Sequence, residues 1–149
     1  MLIYLDLCCF NRPFDDQGQL IVRLQTEAKL HVQAMIQNGV LKLAWSAIID
    51  LENAANPDRE RRKVVAQWQS RACVDISTTQ QVENIAEALS RKGVKAMDSL
   101  HVASAIAANA AYFLTTDKAL SRKMAGHHQI RVVDPIDFAR ILTGDFDEN

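Results

Sequence analysis

Glycine, proline and cysteine are scarce: the counts are 5, 3 and 3 in 149 residues. Such a chain is neither collagen-like nor low-complexity. Three cysteines also exclude a disulfide framework. Cys8, Cys9 and Cys73 offer no C-x-x-C pair to clamp a zinc ion. We read them as small buried hydrophobes in a reducing compartment. No apolar run approaches the roughly 20 residues of a membrane span. The apolar start Met1-Leu2-Ile3-Tyr4-Leu5 stops at Asp6 and carries no basic segment, so it does not read as a signal peptide. An excess of one charge is missing too: 17 Lys and Arg face 18 Asp and Glu, a formal net charge of −1. That balance does not advertise nucleic-acid binding and does not exclude it, because a neutral total can hide an acidic pocket on a basic body. There is no Gly-rich phosphate loop, no G-x-S-x-G elbow and no dinucleotide fingerprint. The expectation is a soluble, cytoplasmic protein.

What is present is an ordinary globular composition, 48% hydrophobic and 23% charged. At this length about two-thirds of the unfolded surface can be buried. We read residues 1–143 as one domain and 144–149 as a frayed acidic tail. Short apolar runs at 2–5, 40–45, 73–76, 111–115 and 130–133 read as strands. Helical periodicity covers 19–38, with Gly39 past its end, and 96–109, which is rich in alanine. Ser46, Asp58 and Thr78 or Thr79 sit where helices at 46–55, 58–71 and 79–92 need caps. Further short helices are expected at 118–125 and, from Pro135, to 142. Pro13 and the Asp15-Asp16 pair mark 8–18 as a loop. Strands alternating with helices predict an α/β fold of three layers: a central, mostly parallel sheet of about four to five strands, flanked by helices.

In such a sheet, ligands gather beyond the carboxyl ends of the strands. Asp6 follows the first strand directly, and Asp117 follows the fourth after one residue. Asp98 heads the otherwise apolar face of the alanine-rich helix. Glu52 stands one turn after Ile48, while Asp50 is turned away to solvent. Each acid alone also suits a turn, a cap or a surface. Together they have a use. A hard divalent cation, Mg²⁺ or Mn²⁺, takes a few carboxylates plus waters and phosphate oxygens. It relieves the repulsion among them and stabilises the leaving oxygen of a phosphodiester.

The segments Ile3-Tyr4-Leu5-Asp6, Ser46 to Glu52, Met97-Asp98-Ser99-Leu100-His101-Val102-Ala103 and Leu114-Thr115-Thr116-Asp117-Lys118 resemble the four acidic motifs of PIN domains, in order and over nearly the whole chain. The resemblance implies a small parallel-sheet fold and a metal-dependent endoribonuclease using metal-activated water. Many such proteins are toxins of toxin–antitoxin pairs, so RNA and an antitoxin protein are the implied partners. Asp6, Asp98 and Asp117 match the metal ligands, Glu52 a further ligand or water-orienting acid, and Thr115 the hydroxyl residue near the last acid. One departure stands out. Family members place Ser or Thr, then Asn or Ser, directly after the first acid, where this chain has Leu7-Cys8-Cys9. Asn11 is the candidate replacement.

That departure motivates a rival reading, a non-catalytic PIN-like module that binds RNA or a protein. A phosphoryl-accepting signalling domain also places acids beside Mg²⁺, but it leaves Glu52 and Asp98 without roles. Arg12 and Lys118 are the better candidates for RNA contact. The run Arg59, Arg61, Arg62 and Lys63 reads as a solvated face, with phosphate contact as its functional alternative. His101 reads as a packed or capping histidine, Trp45 and Trp68 as core, and His127-His128 as a surface loop. An exposed helix pair leads us to expect a homodimer.

Overall fold

Ile3, Tyr4 and Leu5 are all inaccessible to solvent. Neighbouring strand residues point to opposite faces, so their strand, β1 (Leu2–Leu5), is covered on both sides. The same holds for Leu43, Ala44 and Trp45 in β2 (Lys42–Ser46). With β3 (Ala72–Ile76), β4 (Tyr112–Leu114) and β5 (Arg131–Val133), these strands form one sheet in the order β3-β2-β1-β4-β5. Every pairing is parallel. The computed structural model describes residues 1–144, so the acidic tail beyond Gly144 lies outside the described residues.

The helices between the strands follow from local signals. Helix α1 (Leu7–Asn11) is short, and Asp6 caps it by accepting from the Leu7 amide at 2.8 Å. Helix α2 (Leu20–Gln37) ends before Gly39, whose φ of +77° suits glycine alone at low strain. Ser46 caps α3 (Ala47–Ala54) through the Ile49 amide. Asp58 caps α4 (Arg59–Gln67), which tightens into a 3₁₀ turn over Trp68–Arg71. Thr79 caps α5 (Gln80–Arg91), and Val94 leads into α6 (Ala96–Ala107). Asp117 caps α7 (Lys118–Lys123), and Pro135 opens α8 (Pro135–Thr143). No described helix is long and apolar enough to cross a membrane.

One expectation is corrected here. Residues 8–18 are not all loop: α1 and a 3₁₀ turn at Arg12–Phe14 occupy the first part. Turn residues pointed to a loop, but Leu7 and Phe10, spaced by one helical turn, are buried and hold the segment against the core. Pro13 is accommodated in the first positions of the turn, where its missing N–H costs nothing.

The sheet order places β1 beside β2 on one side and β4 on the other. The chain runs from β1 outward through β2 to β3, then crosses back to β4 on the other side of β1 and on to β5, and this reversal opens a crevice at the carboxyl ends of β1 and β4. Helix α6 is held there by its packing on α5. Thr79→Ala removes the α5 cap at Val82 and is expected to lower stability by about 1 kcal/mol. Urea denaturation measures this, with an unchanged m-value.

Candidate metal centre

Asp6 stands at the end of β1, and its amide still pairs with the Leu114 carbonyl of β4 at 2.9 Å. The main chain therefore fixes where its carboxyl points. Oδ1 accepts from the Leu7 amide and Oδ2 from the Thr115 hydroxyl, at 2.8 and 2.9 Å. Thr115 Oγ1 also accepts from the Asp117 amide at 3.1 Å, which ties the first acid to the last. Asp6 is buried, and burial pushes its pKa up, partly offset by His101 and by the Thr115 hydroxyl.

Asp98 lies in the first turn of α6 and makes no hydrogen bond through its carboxylate among the described residues. Burial raises its pKa, and the Asp6 and Asp117 carboxylates raise it further. Asp117 Oδ1 accepts from the Ala119 and Leu120 amides of α7. Glu52 is carried in by α3, with its side chain about one-third exposed (34%). Asp6, Glu52, Asp98 and Asp117 line one cavity of about 500 Å³.

Behind Glu52 runs a chain of buried polar groups whose directions can be worked out. Glu52 Oε1 lies 3.0 Å from His101 Nε2. A carboxylate only accepts, so Nε2 carries the proton. In the neutral ring Nδ1 then accepts, and Tyr4 Oη lies 2.7 Å from it. Burial pushes the Tyr4 pKa well up, so its hydroxyl keeps the proton to donate. Tyr4 Oη in turn accepts from Ser46 Oγ at 2.6 Å, and Ser46 accepts the Ile49 amide. Every hydroxyl and ring nitrogen in this chain has a partner. Tyr4 and Ser46 are fully buried and His101 nearly so.

The family model of the PIN domain matches residues 3–125. The chain belongs to the PIN domain family. Among solved structures, one match is a chain of the crystal structure of VapBC2 from Rickettsia felis bound to a DNA fragment from their promoter. The TM-score is 0.54 at 16% identity, covering 89% of this chain and 97% of that chain. At that identity the likeness is one of fold. The search of curated proteins gives no match. Strand β5 and helix α8 lie beyond the matched segment, yet β5 pairs with β4 in the same sheet.

The donor set of this PIN domain suits a hard divalent cation. Oxygen ligands prevail, and a cation would relieve the carboxylate repulsion that, after burial, raises the Asp98 pKa. Among the described residues the ligand atoms that lie within 4.8 Å of one another are those of Asp6, Glu52 and His101, while Asp98 and Asp117 line the same cavity outside that group. His101, however, has both ring nitrogens engaged, so we assign it to holding Glu52 rather than to the metal.

The remaining residues singled out in the sequence fall in different places. Asn11 lines the acidic cavity, but its buried Oδ1 has no partner there. The group actually beside Asp6 is the Cys8 thiol, 3.5 Å from both Asp6 Oδ2 and Thr115 Oγ1. Cys8 is half-buried and Cys73 exposed, which corrects the reading of all three cysteines as buried; only Cys9 is. Cys73 sits on edge strand β3, whose outer positions face solvent. Arg12 is turned from the acids into a network with Gln25 and Asp15. Lys118 is exposed and borders a neighbouring cavity. From the basic run, Arg61 reaches the acidic cavity while paired to Asp15 at 3.3 Å. Asp50 is exposed as expected and accepts from Trp45 Nε1. Sequence reasoning missed Tyr4 and Ser46. The available signal was a tyrosine inside a fully apolar strand, since a buried hydroxyl requires a partner.

Proposed function

We propose that this PIN domain is a Mg²⁺- or Mn²⁺-dependent endoribonuclease that hydrolyses RNA phosphodiesters, acting as the toxin of a toxin–antitoxin pair. The observation that carries the reading is the meeting of Asp6, Glu52, Asp98 and Asp117 in one cavity at the carboxyl edge of the sheet. Asp6, Asp98 and Asp117 would hold the cation. When bound, the cation supplies charge neutralisation at the phosphodiester and its departing oxygen. Thr115 and the Leu7 amide keep the Asp6 carboxylate in place. Glu52 has Oε1 taken by His101, which leaves Oε2 to accept a proton from the attacking water and so orient it. The water oxygen bonds to phosphorus as the opposite P–O bond breaks, and the proton passes on to the departing oxygen.

The family and the fold shared with a chain of the VapBC2 complex support an antitoxin protein as partner. The same reading makes the protein cytoplasmic and a homodimer. The test is Mn²⁺ titration by calorimetry together with cleavage of a structured RNA by the purified protein. We expect metal binding below millimolar concentration and cleavage that EDTA abolishes. Absence of binding at millimolar Mn²⁺ would favour a non-catalytic binding module, and cleavage persisting in EDTA would exclude this site as its source.

A further inference from the structure

The acidic cavity alone is a poor place to bind RNA. Among the described residues its wall carries four carboxylates against the guanidinium of Arg61, a net charge of −3. One divalent cation leaves that wall negative. A phosphodiester strand brought here needs attraction from elsewhere.

A second cavity, of about 480 Å³, adjoins the first across Thr115 and Thr116. It lies beyond the carboxyl ends of β4 and β5. Its apolar floor comes from Val132, Val133 and Ile136, with Ile21 of α2 at the side. Lys118, which directly follows Asp117, and Arg122 stand on its rim. Neither forms an ion pair or hydrogen bond through its side chain among the described residues, in contrast to Arg12 and Arg61, which are both paired with Asp15. Of the acids on this wall, Asp134 is already committed to the Gln25 amide and the Ile136 amide, and Asp137 is exposed.

From this juxtaposition we propose that the second cavity is a nucleoside subsite for single-stranded RNA. The base of one nucleotide beside the scissile phosphate rests on the valine and isoleucine floor, and Lys118 and Arg122 hold the flanking phosphates. The size fits, since pockets for small ligands span roughly 300–1,000 Å³. The pairing of an apolar floor with unpaired cations matches a base linked to phosphates better than an apolar side chain of a protein partner. The proposal rests on the ribonuclease reading, and it adds where the substrate lies.

The test is anisotropy of a short fluorescent single-stranded RNA titrated with the protein in EDTA, so that binding is read without cleavage. We expect the Lys118→Ala/Arg122→Ala double variant to weaken binding about tenfold or more. Its salt dependence should flatten by roughly 1.4 in log–log slope, for two lost phosphate contacts. Ser121→Trp, which fills the cavity from the exposed side of α7, should weaken binding to the RNA but not to an abasic strand with the same number of phosphates. Circular dichroism confirms that the variants are folded. Unchanged affinity in the double variant, or no RNA binding by the wild type, overturns the subsite. Equal loss or no loss for both strands in Ser121→Trp overturns the base contact. RNA binding with these sensitivities in a wild type that does not cleave with Mn²⁺ retains the subsite and removes the ribonuclease reading instead.

Discussion

Asp98→Asn is expected to lower RNA cleavage by about a thousandfold, because loss of a metal ligand removes several kcal/mol of charge stabilisation in the transition state. The same substitution should make the metal-free protein more stable. Asp98 makes no hydrogen bond through its carboxylate among the described residues, so the amide breaks none. What disappears is a charge that burial and the nearby Asp6 and Asp117 carboxylates disfavour. Against this stands the helix dipole, which favours an acid in the first turn by a few tenths of a kcal/mol, about 0.3 upward. We expect a net gain on the order of 0.5 kcal/mol after allowing for solvent screening of a half-exposed group. The pH dependence fixes the sign. A carboxyl whose folded pKa is raised weakens the fold once it ionises, so its cost is fully present at neutral pH. That cost fades as pH falls through the folded pKa toward the unfolded value near ~3.9. The stability difference between variant and wild type should therefore narrow on acidification. Thermal unfolding in EDTA from neutral to mildly acidic pH measures it. A variant less stable than wild type at neutral pH would show that the acids do not crowd one another, and cleavage at the wild-type rate would remove Asp98 from the metal site.

How much of this could be read in the sequence depended on where the deciding physics lies. Caps such as Ser46, Thr79 and Asp117 act within a few residues, and the helices they start stand where the spacing placed them. The positions of Asp6 and Asp117 were legible because each follows a strand whose carboxyl end a parallel sheet dictates, whereas Glu52 and Asp98 stand inside helices. Asp6 and Asp117 come together because β1 and β4 are neighbours in the sheet, and Asp98 lines the same cavity from α6, which only the folded chain reveals. The Cys8 thiol beside Thr115 was not legible, since 107 residues separate the two. Local turn chemistry even pointed the wrong way at 8–18, where burial of Leu7 and Phe10 prevails over Pro13 and the acidic pair. Long-range polar pairing was the hardest to see. Tyr4 and His101 lie 97 positions apart, and nothing near either residue identifies the other.

That pair gives the second large effect. His101→Leu leaves the Tyr4 hydroxyl buried without its acceptor and is expected to cost about 3 kcal/mol, an unsatisfied group of about 1–3 kcal/mol plus imperfect packing. Tyr4→Phe leaves His101 Nδ1 without its donor and should cost about 2 kcal/mol for the same reason. With both partners apolar, no Nδ1 is left wanting a donor and no hydroxyl wants that acceptor. The double variant should therefore fall short of the summed costs by about 1–3 kcal/mol. Catalysis should not recover in the same way. Among the described residues only His101 donates to Glu52, so every variant lacking it frees that carboxylate, with an expected loss of about 10–100-fold in cleavage rate or metal affinity. Tyr4→Phe should keep most of the rate, because Nε2–H can still reach Glu52. Denaturant melts and Mn²⁺-dependent cleavage on the same four proteins separate the two roles. Stability that recovers in the double variant while activity stays low identifies His101 as a positioning residue for Glu52. Activity that tracks stability across the set would reduce the chain from Ser46 to Glu52 to a packing device.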